Sequence, residues 1–257
     1  MSNIVTRAWR RFAQQKSSSD VVKWVSLGSA CDIAMILKEH KQKRESYPFD
    51  WLWNLDHGLS AVNDMITSDF RNVIREDSYT VAYHYRLNRE VVVYKEYPSI
   101  IHMHSNPYSY REDHDVLRRR IERFKDLLQS NDPITFVHYK NYNEELMKDK
   151  SISLEEMFKG LVLKSNEFLK LIEKKRHRDS FVLIVVLQTD PKWQEQANKL
   201  ISSYRSKDHR VRYEYTISRI DGDDDALATW RRQWNDILGF GSAYNYHSKF
   251  TEGQGKY

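Results

Sequence analysis

The 257-residue chain contains one cysteine, Cys31. An internal disulfide is therefore excluded, and so is a Cys-rich zinc site. The fold has to stand on packing alone, which suits a reducing compartment, so a cytoplasmic location is the expectation. Long apolar runs are missing as well. The longest, Phe181–Leu187, has the length of a strand and falls far short of the roughly 20 residues that span a bilayer. No apolar core of a secretory signal is present near Met1. Residues 1–19 lack acids and carry arginines. They read as a basic leader, amphipathic or frayed, with a faint likeness to an organellar transit peptide. Internal repeats and low-complexity tracts are absent too, which excludes solenoids and arrays.

What is there describes a globular protein. Hydrophobic residues make up 40% and charged residues 30%, the balance of an ordinary soluble domain. Sixteen tyrosines and seven tryptophans supply bulk for a large core. Residues 20–250 read as a single α/β domain and 251–257 as a flexible tail. The net charge of +5 comes from basic clusters at Arg7–Arg11, His40–Arg44, Arg118–Arg123 and Glu173–Arg178. Acids lie near each, which favours solvated helix faces; a phosphate-rich partner such as nucleic acid is the alternative.

The hydrophobic pattern switches between strand and helix periods along the chain. A strand over Val21–Gly28 leads into a helix that carries Ile33, Ile36 and Leu37 and runs to about Lys43. Pro48 forces an extended entry, and Asp56 can cap a short helix bearing Leu59, Val62 and Ile66. Residues near 77–104 alternate as a β-rich hairpin insertion, with its turn at Leu87–Glu90. The second half is regular: a helix over Asp113–Leu128, a strand over Ile134–Tyr139 and a helix over Leu154–Lys175. The strand Phe181–Leu187, a helix over Trp193–Arg205, a strand over Arg210–Ser218 and a last helix follow. Ser153 with Glu156 forms a capping-box pattern. Strands alternating with helices predict an α/β fold: a mostly parallel sheet with helices on both faces.

Ligands of such sheets bind outside the carboxyl ends of the strands. The first strand delivers Gly28, Ser29, Cys31 and Asp32 there. The second delivers His138, with Lys140 and Asn141 beyond it. The third delivers Asp190 after Gln188 and Thr189, and the fourth Ser218 and Asp221. Cys31 falls where a strand becomes a helix. Unpaired amides and the dipole of a helix N-terminus favour a thiolate and can hold an oxyanion. A small residue filling a core is the plainer reading of a lone cysteine. His102, His104 and His138 are candidate bases or ordinary structural histidines. Asp50, set among Phe49, Trp51 and Trp53, is either a braced carboxylate or a site residue. Asp221 and Asp223 belong to an acidic run that either caps the last helix or holds a divalent ion.

Two of these stretches together, "VSLGSACDIAMILKEH" and "SYPFDWLW", resemble a family of bacterial and viral proteins of unknown function classed as papain-like cysteine peptidases. A histidine after a β-rich stretch (His104 in "IIHMHS"), an Arg-rich helix ("RRRIERFKDLL") and a strand "FVH" complete the likeness. It covers roughly residues 22–140. At His138 the family typically has arginine. The resemblance implies Cys31 as nucleophile, His104 as its base and a papain-like α+β fold as the alternative architecture. The strand–"LGSAC"–helix shape also looks like the first block of SGNH-type hydrolases, which makes Ser29 a rival nucleophile.

Three functions stay open. The first is a cysteine-dependent hydrolase of peptide or amide bonds, needing no cofactor. In it Cys31 attacks, His104 or His138 moves the proton, Asp190 or Asp50 orients the imidazole, and amides around Gly28, Ser29 and Asp32 hold the oxyanion. The second is a transferase acting on a nucleotide-activated sugar, with Asp221 and Asp223 near a metal. The third is a non-enzymatic basic binding module.

Overall fold

The computed structural model describes residues 22–54, 56–85, 87–142, 152–176, 180–204, 206, 208–218 and 223–240. The expected leader at 1–19 and tail at 251–257 lie outside them. In chain order the elements are β1 (Lys23–Ser26), α1 (Asp32–Glu39), β2 (Leu52–Asn54), α2 (Leu59–Thr67), β3 (Tyr79–His84), β4 (Arg89–Tyr94) and β5 (Ile100–His102). Then follow α3 (Arg111–Gln129), β6 (Ile134–Tyr142), α4 (Leu154–Lys175), β7 (Phe181–Thr189), α5 (Gln194–Ser203), β8 (Val211–Ile217) and α6 (Asp224–Leu238).

Two four-stranded sheets result. One has the order β1-β6-β7-β8 with every pair parallel. The other has the order β2-β5-β4-β3 with every pair antiparallel. The α/β expectation holds, and the parallel sheet sets aside the α+β alternative. The insertion is larger than a hairpin, because β2 and β5 extend the β3–β4 pair into a sheet. Single-sequence patterning misses this: β2 and β5 have three residues each, too few to show a period.

The parallel sheet is covered on both faces. On one face Phe136 of β6 and Phe181, Leu183 and Val185 of β7 pack with Phe124 of α3 and Phe168 of α4. On the other, Val137 and Tyr139 of β6 and Ile184 and Val186 of β7 pack with Ile33 and Leu37 of α1 and Trp230 and Trp234 of α6. Strand β7 is buried at every position, as a central parallel strand between two helical layers requires.

Local chemistry sets the helix ends. Ser153 accepts from the Glu156 amide while the Glu156 carboxylate accepts from the Ser153 amide, closing the capping box that starts α4. Asp223 accepts from the Ala226 amide and caps α6. Helix α2 departs from expectation: its N-cap is Gly58, not Asp56. Gly58 has φ 52° and ψ −133°, a conformation essentially confined to glycine. Helix α1 stops at Glu39, short of Lys43, since the chain turns there to carry Lys43 inward.

Two substitutions in α4 test this account. Ser153→Ala should destabilise by about 1 kcal/mol through loss of the cap. Gly160→Ala should stabilise by about 0.5–1 kcal/mol, because a methyl group there meets nothing within 4 Å and alanine is the better helix former. Urea midpoints of the two variants against the parent chain provide the measurement.

Candidate functional site at the carboxyl ends of the parallel strands

The strands that carry Cys31, His138 and Asp190 are consecutive in the sheet, as β1, β6 and β7. Cys31 and Asp190 lie beyond the carboxyl ends of theirs, but β6 runs on to Tyr142, past the expected end at Tyr139, because β7 pairs with it that far, so His138 is mid-strand. Between β1 and α1 the backbone turns sharply. Gly28 has φ 81° and Ser29 φ 109°. A side chain at Gly28 would come within 3.2 Å of the Phe49 carbonyl, so this turn needs glycine on two counts. The Ser29 hydroxyl donates to the Tyr139 carbonyl at 2.5 Å, and the Ser29 carbonyl accepts from the Asn54 amide at 2.9 Å. Ser29 thus fastens the turn to β6 on one side and β2 on the other. It is 1% exposed, and this bracing use of its hydroxyl weighs against it as a nucleophile.

Cys31 is the N-cap residue of α1, and its carbonyl accepts the Met35 amide at 2.9 Å. It is partly exposed. Next to it, Asp32 accepts from the Tyr139 hydroxyl at 3.0 Å, so its carboxylate holds the helix start to β6. The Gly28 amide donates to the Ser26 hydroxyl; the oxyanion role envisaged for it would have to displace that bond.

The two candidate bases sit differently. His104 is largely exposed and lies edge-on to Trp51 with ring centroids 5.7 Å apart. Trp51 immediately precedes β2. Ser29 is bridged in parallel to Trp53, so the chain from Ser29 to Cys31 runs with β2 and away from Trp51.

His138 is 0% exposed and on β6. Alternation places its side chain with Phe136, on the face of α2, α3 and α4, whereas Tyr139 points to the face of α1. The ring lines a cavity of about 300 Å³ together with Gly58, Leu59, Met157 and Leu161. Neither ring nitrogen has a hydrogen-bond partner among the described residues. Burial, and then the Lys140 charge, hold its pKa down at about 3; the main chain of Leu27 and Gly28 beside the ring opposes this, outside hydrogen-bond geometry. The imidazole is therefore neutral at physiological pH.

The remaining candidates are structural in their contacts. Asp50 is 0% exposed and accepts from the Lys43 ammonium and from the Tyr47 amide. Burial pushes the carboxyl pKa up and the ammonium pKa down, each opposed by the partner's charge. This pair folds the segment between α1 and β2 against the core. Asp190 precedes the short 3₁₀ turn Pro191–Trp193, where its carbonyl accepts from the Trp193 amide and the Thr189 hydroxyl. Asp223 caps α6, and Asp221 lies outside the described residues. Among the described residues no group of three or more His, Cys, Asp or Glu could hold a metal ion.

Some members of the basic clusters turn inward. Besides Lys43, Arg123 donates to the Ser46 carbonyl, and buried Arg176 to the carbonyls of Leu127 and Asp132. The solvated-face reading of these clusters fails at those residues, because their donors close loop and helix ends. No described helix is long and apolar enough to cross a membrane.

The sequence profile of a family described as "Putative papain-like cysteine peptidase" matches residues 22–186. The chain belongs to that family. No match was found among curated proteins or among solved structures. The matched region runs from β1 into β7 and so contains the Cys31 turn, the whole antiparallel sheet and His138. Two features of the site were not read from the sequence: His57, which lines the cavity, and Gly58. The signal was the "DHG" before a helix, taken instead as an aspartate cap.

Two measurements probe these groups. Asp50→Ala leaves the Lys43 ammonium buried without its partner and should cost about 3–5 kcal/mol; Lys43→Met combined with Asp50→Leu should recover most of it in urea denaturation. The second concerns acid. His138 and His102, the latter buried between Tyr79 and Tyr94, are both held at about 3 by burial, against about 6.5 when unfolded. Below pH 6.5 the unfolded chain binds more protons, so their contribution falls as pH drops from about 6.5 toward 3. The slope is up to about 1.4 kcal/mol per pH unit for each histidine. His138→Phe should remove one such share between pH 6 and 5.

Proposed function

We propose that the protein is a cysteine-dependent hydrolase acting on an acyl group, as in a peptidase or amidase, with Cys31 as nucleophile. The observation that carries this reading is the placement of Cys31: partly exposed, at the N-cap of α1, beyond the carboxyl end of a parallel strand. Helix amides and the dipole lower a thiol's pKa in such a position, and the same amides can receive the oxyanion of a tetrahedral intermediate. The family description supports the same chemistry. In the reaction the Cys31 thiolate attacks the carbonyl carbon, the leaving amine takes a proton, and water then cleaves the thioester. A peptide or other amide is the substrate class this implies. The imidazole that moves the proton is His104 or His138, oriented by a further group such as Asp190. Asp50, tied to Lys43, acts on the site through the loop it holds.

The test is the rate of iodoacetamide labelling of Cys31 against pH, in the wild type and in His104→Ala and His138→Ala. The expected result is a labelling pKa clearly below the 8.5 of a free thiol. Whichever histidine variant raises that pKa identifies the base. A wild-type value at or above about 8.5 refutes the reading.

A further inference from the structure

The cavity on the α2/α4 face of β6 lies on the other side of the sheet from α1, and its floor is unusual. His138 is fully buried there with both nitrogens unpartnered among the described residues. A buried polar group in that state is destabilising, and native structures seldom keep one without a partner. The ring faces the cavity: its Nε2 lies 3.4 Å from where a Cβ at Gly58 would stand. Gly58, without a side chain, packs beside that nitrogen, and both residues line the cavity. Around it the wall is apolar, with Leu59, Met157 and Leu161.

Three charged groups of the lining have partners of their own. The Lys140 ammonium donates to the Asp56 carbonyl at 2.9 Å, Lys164 pairs with Glu167 at 2.8 Å, and the Glu156 carboxylate is held by Ser153. A cation at the floor would meet the Lys140 charge, and an anion would lose its hydration against a neutral imidazole and an apolar wall. In a neutral imidazole Nε2 is either a donor or an acceptor, and a carboxamide, which carries both an acceptor and a donor, can match it in either tautomer. A volume of about 300 Å³ is at the small end of ligand sites.

We propose that this cavity binds a small, uncharged and mainly apolar molecule or side chain that presents one hydrogen-bonding group, an amide above all, to the imidazole of His138. The inference does not rest on the reading of Cys31, whose helix lies on the other face of the sheet.

The experiment is an NMR titration of the full-length protein, with histidine rings labelled, against isovaleramide and its charged isosteres isovalerate and isoamylamine. The expected result is a saturable shift of the His138 ring signals by isovaleramide, with Kd on the order of 1 mM for a fragment of this size. Both charged isosteres should bind at least about tenfold more weakly. His138→Phe should weaken isovaleramide about tenfold, the worth of one buried hydrogen bond. Gly160→Phe crowds the cavity from a position where an added Cβ meets nothing. It should weaken binding too, and it keeps the test decisive if His138→Phe does not fold. No saturable shift, equal binding of all three probes, or binding unchanged in a folded variant overturns the proposal and leaves a cavity that holds water only. The titration is repeated on Cys31→Ser. Binding that persists there beside an unactivated wild-type thiol rejects the hydrolase and keeps the cavity site. An activated thiol without isovaleramide binding rejects the cavity site alone.

Discussion

Residue alternation along β6 is the constraint on which the arrangement depends. This strand is paired on both sides, to β1 over Ile134–Val137 and to β7 along its length. It has therefore no freedom to slip. A shift of one residue would send Phe136 and His138 to the α1 face and Val137 and Tyr139 to the α4 face, exchanging two packed cores. With the register held, Tyr139 meets both the Ser29 hydroxyl, through its carbonyl, and Asp32, through its phenol. Those two contacts position the Cys31 turn. The next residue inward, His138, is committed by the same alternation to a cavity on the opposite face.

The legibility of the fold follows the length of its signals. Helix α4 was readable to the residue because it has a long apolar period and a capping box. Strand β7 was readable because only a strand covered on both faces is apolar throughout. The antiparallel sheet was readable only as a hairpin, since β2 and β5 are defined by their partners and not by their own composition. The end of α1 was misjudged for a similar reason: Lys43 fits a helix locally, but its ion pair with Asp50 takes the chain inward.

The site was legible in part for physical reasons of the same kind. Position at a strand end is a topological property, so Cys31 and Asp190 could be named before their strands were known to be neighbours, whereas His138 lies mid-strand because β7 extends the pairing of β6 to Tyr142. The direction of a side chain depends on register, which no single strand reveals. Basic runs mislead likewise: Arg123 and Arg176 read as surface charge, yet each closes the polar end of a neighbouring segment. Arginine suits that use, because its stem packs on apolar surface while its planar head donates several bonds at once.

A family description and a fold constrain different things. The family description points toward a peptidase, and ligands of parallel sheets gather at the carboxyl ends of the strands. Neither selects between the two faces of that end. On the α1 face the chemistry available is a thiol beneath helix amides, with Ser29 and Asp32 as braces. On the α4 face it is a neutral imidazole above an apolar cavity. The first arrangement suits bond-making at a carbonyl; the second suits recognition of an uncharged group. A buried imidazole without hydrogen-bond partners among the described residues carries a stability cost that a phenylalanine would avoid. That cost is offset whenever a hydrogen-bonding group occupies the cavity, so the fold becomes more stable on binding. Such coupling makes His138 informative about ligands in a way that no fully satisfied core residue can be.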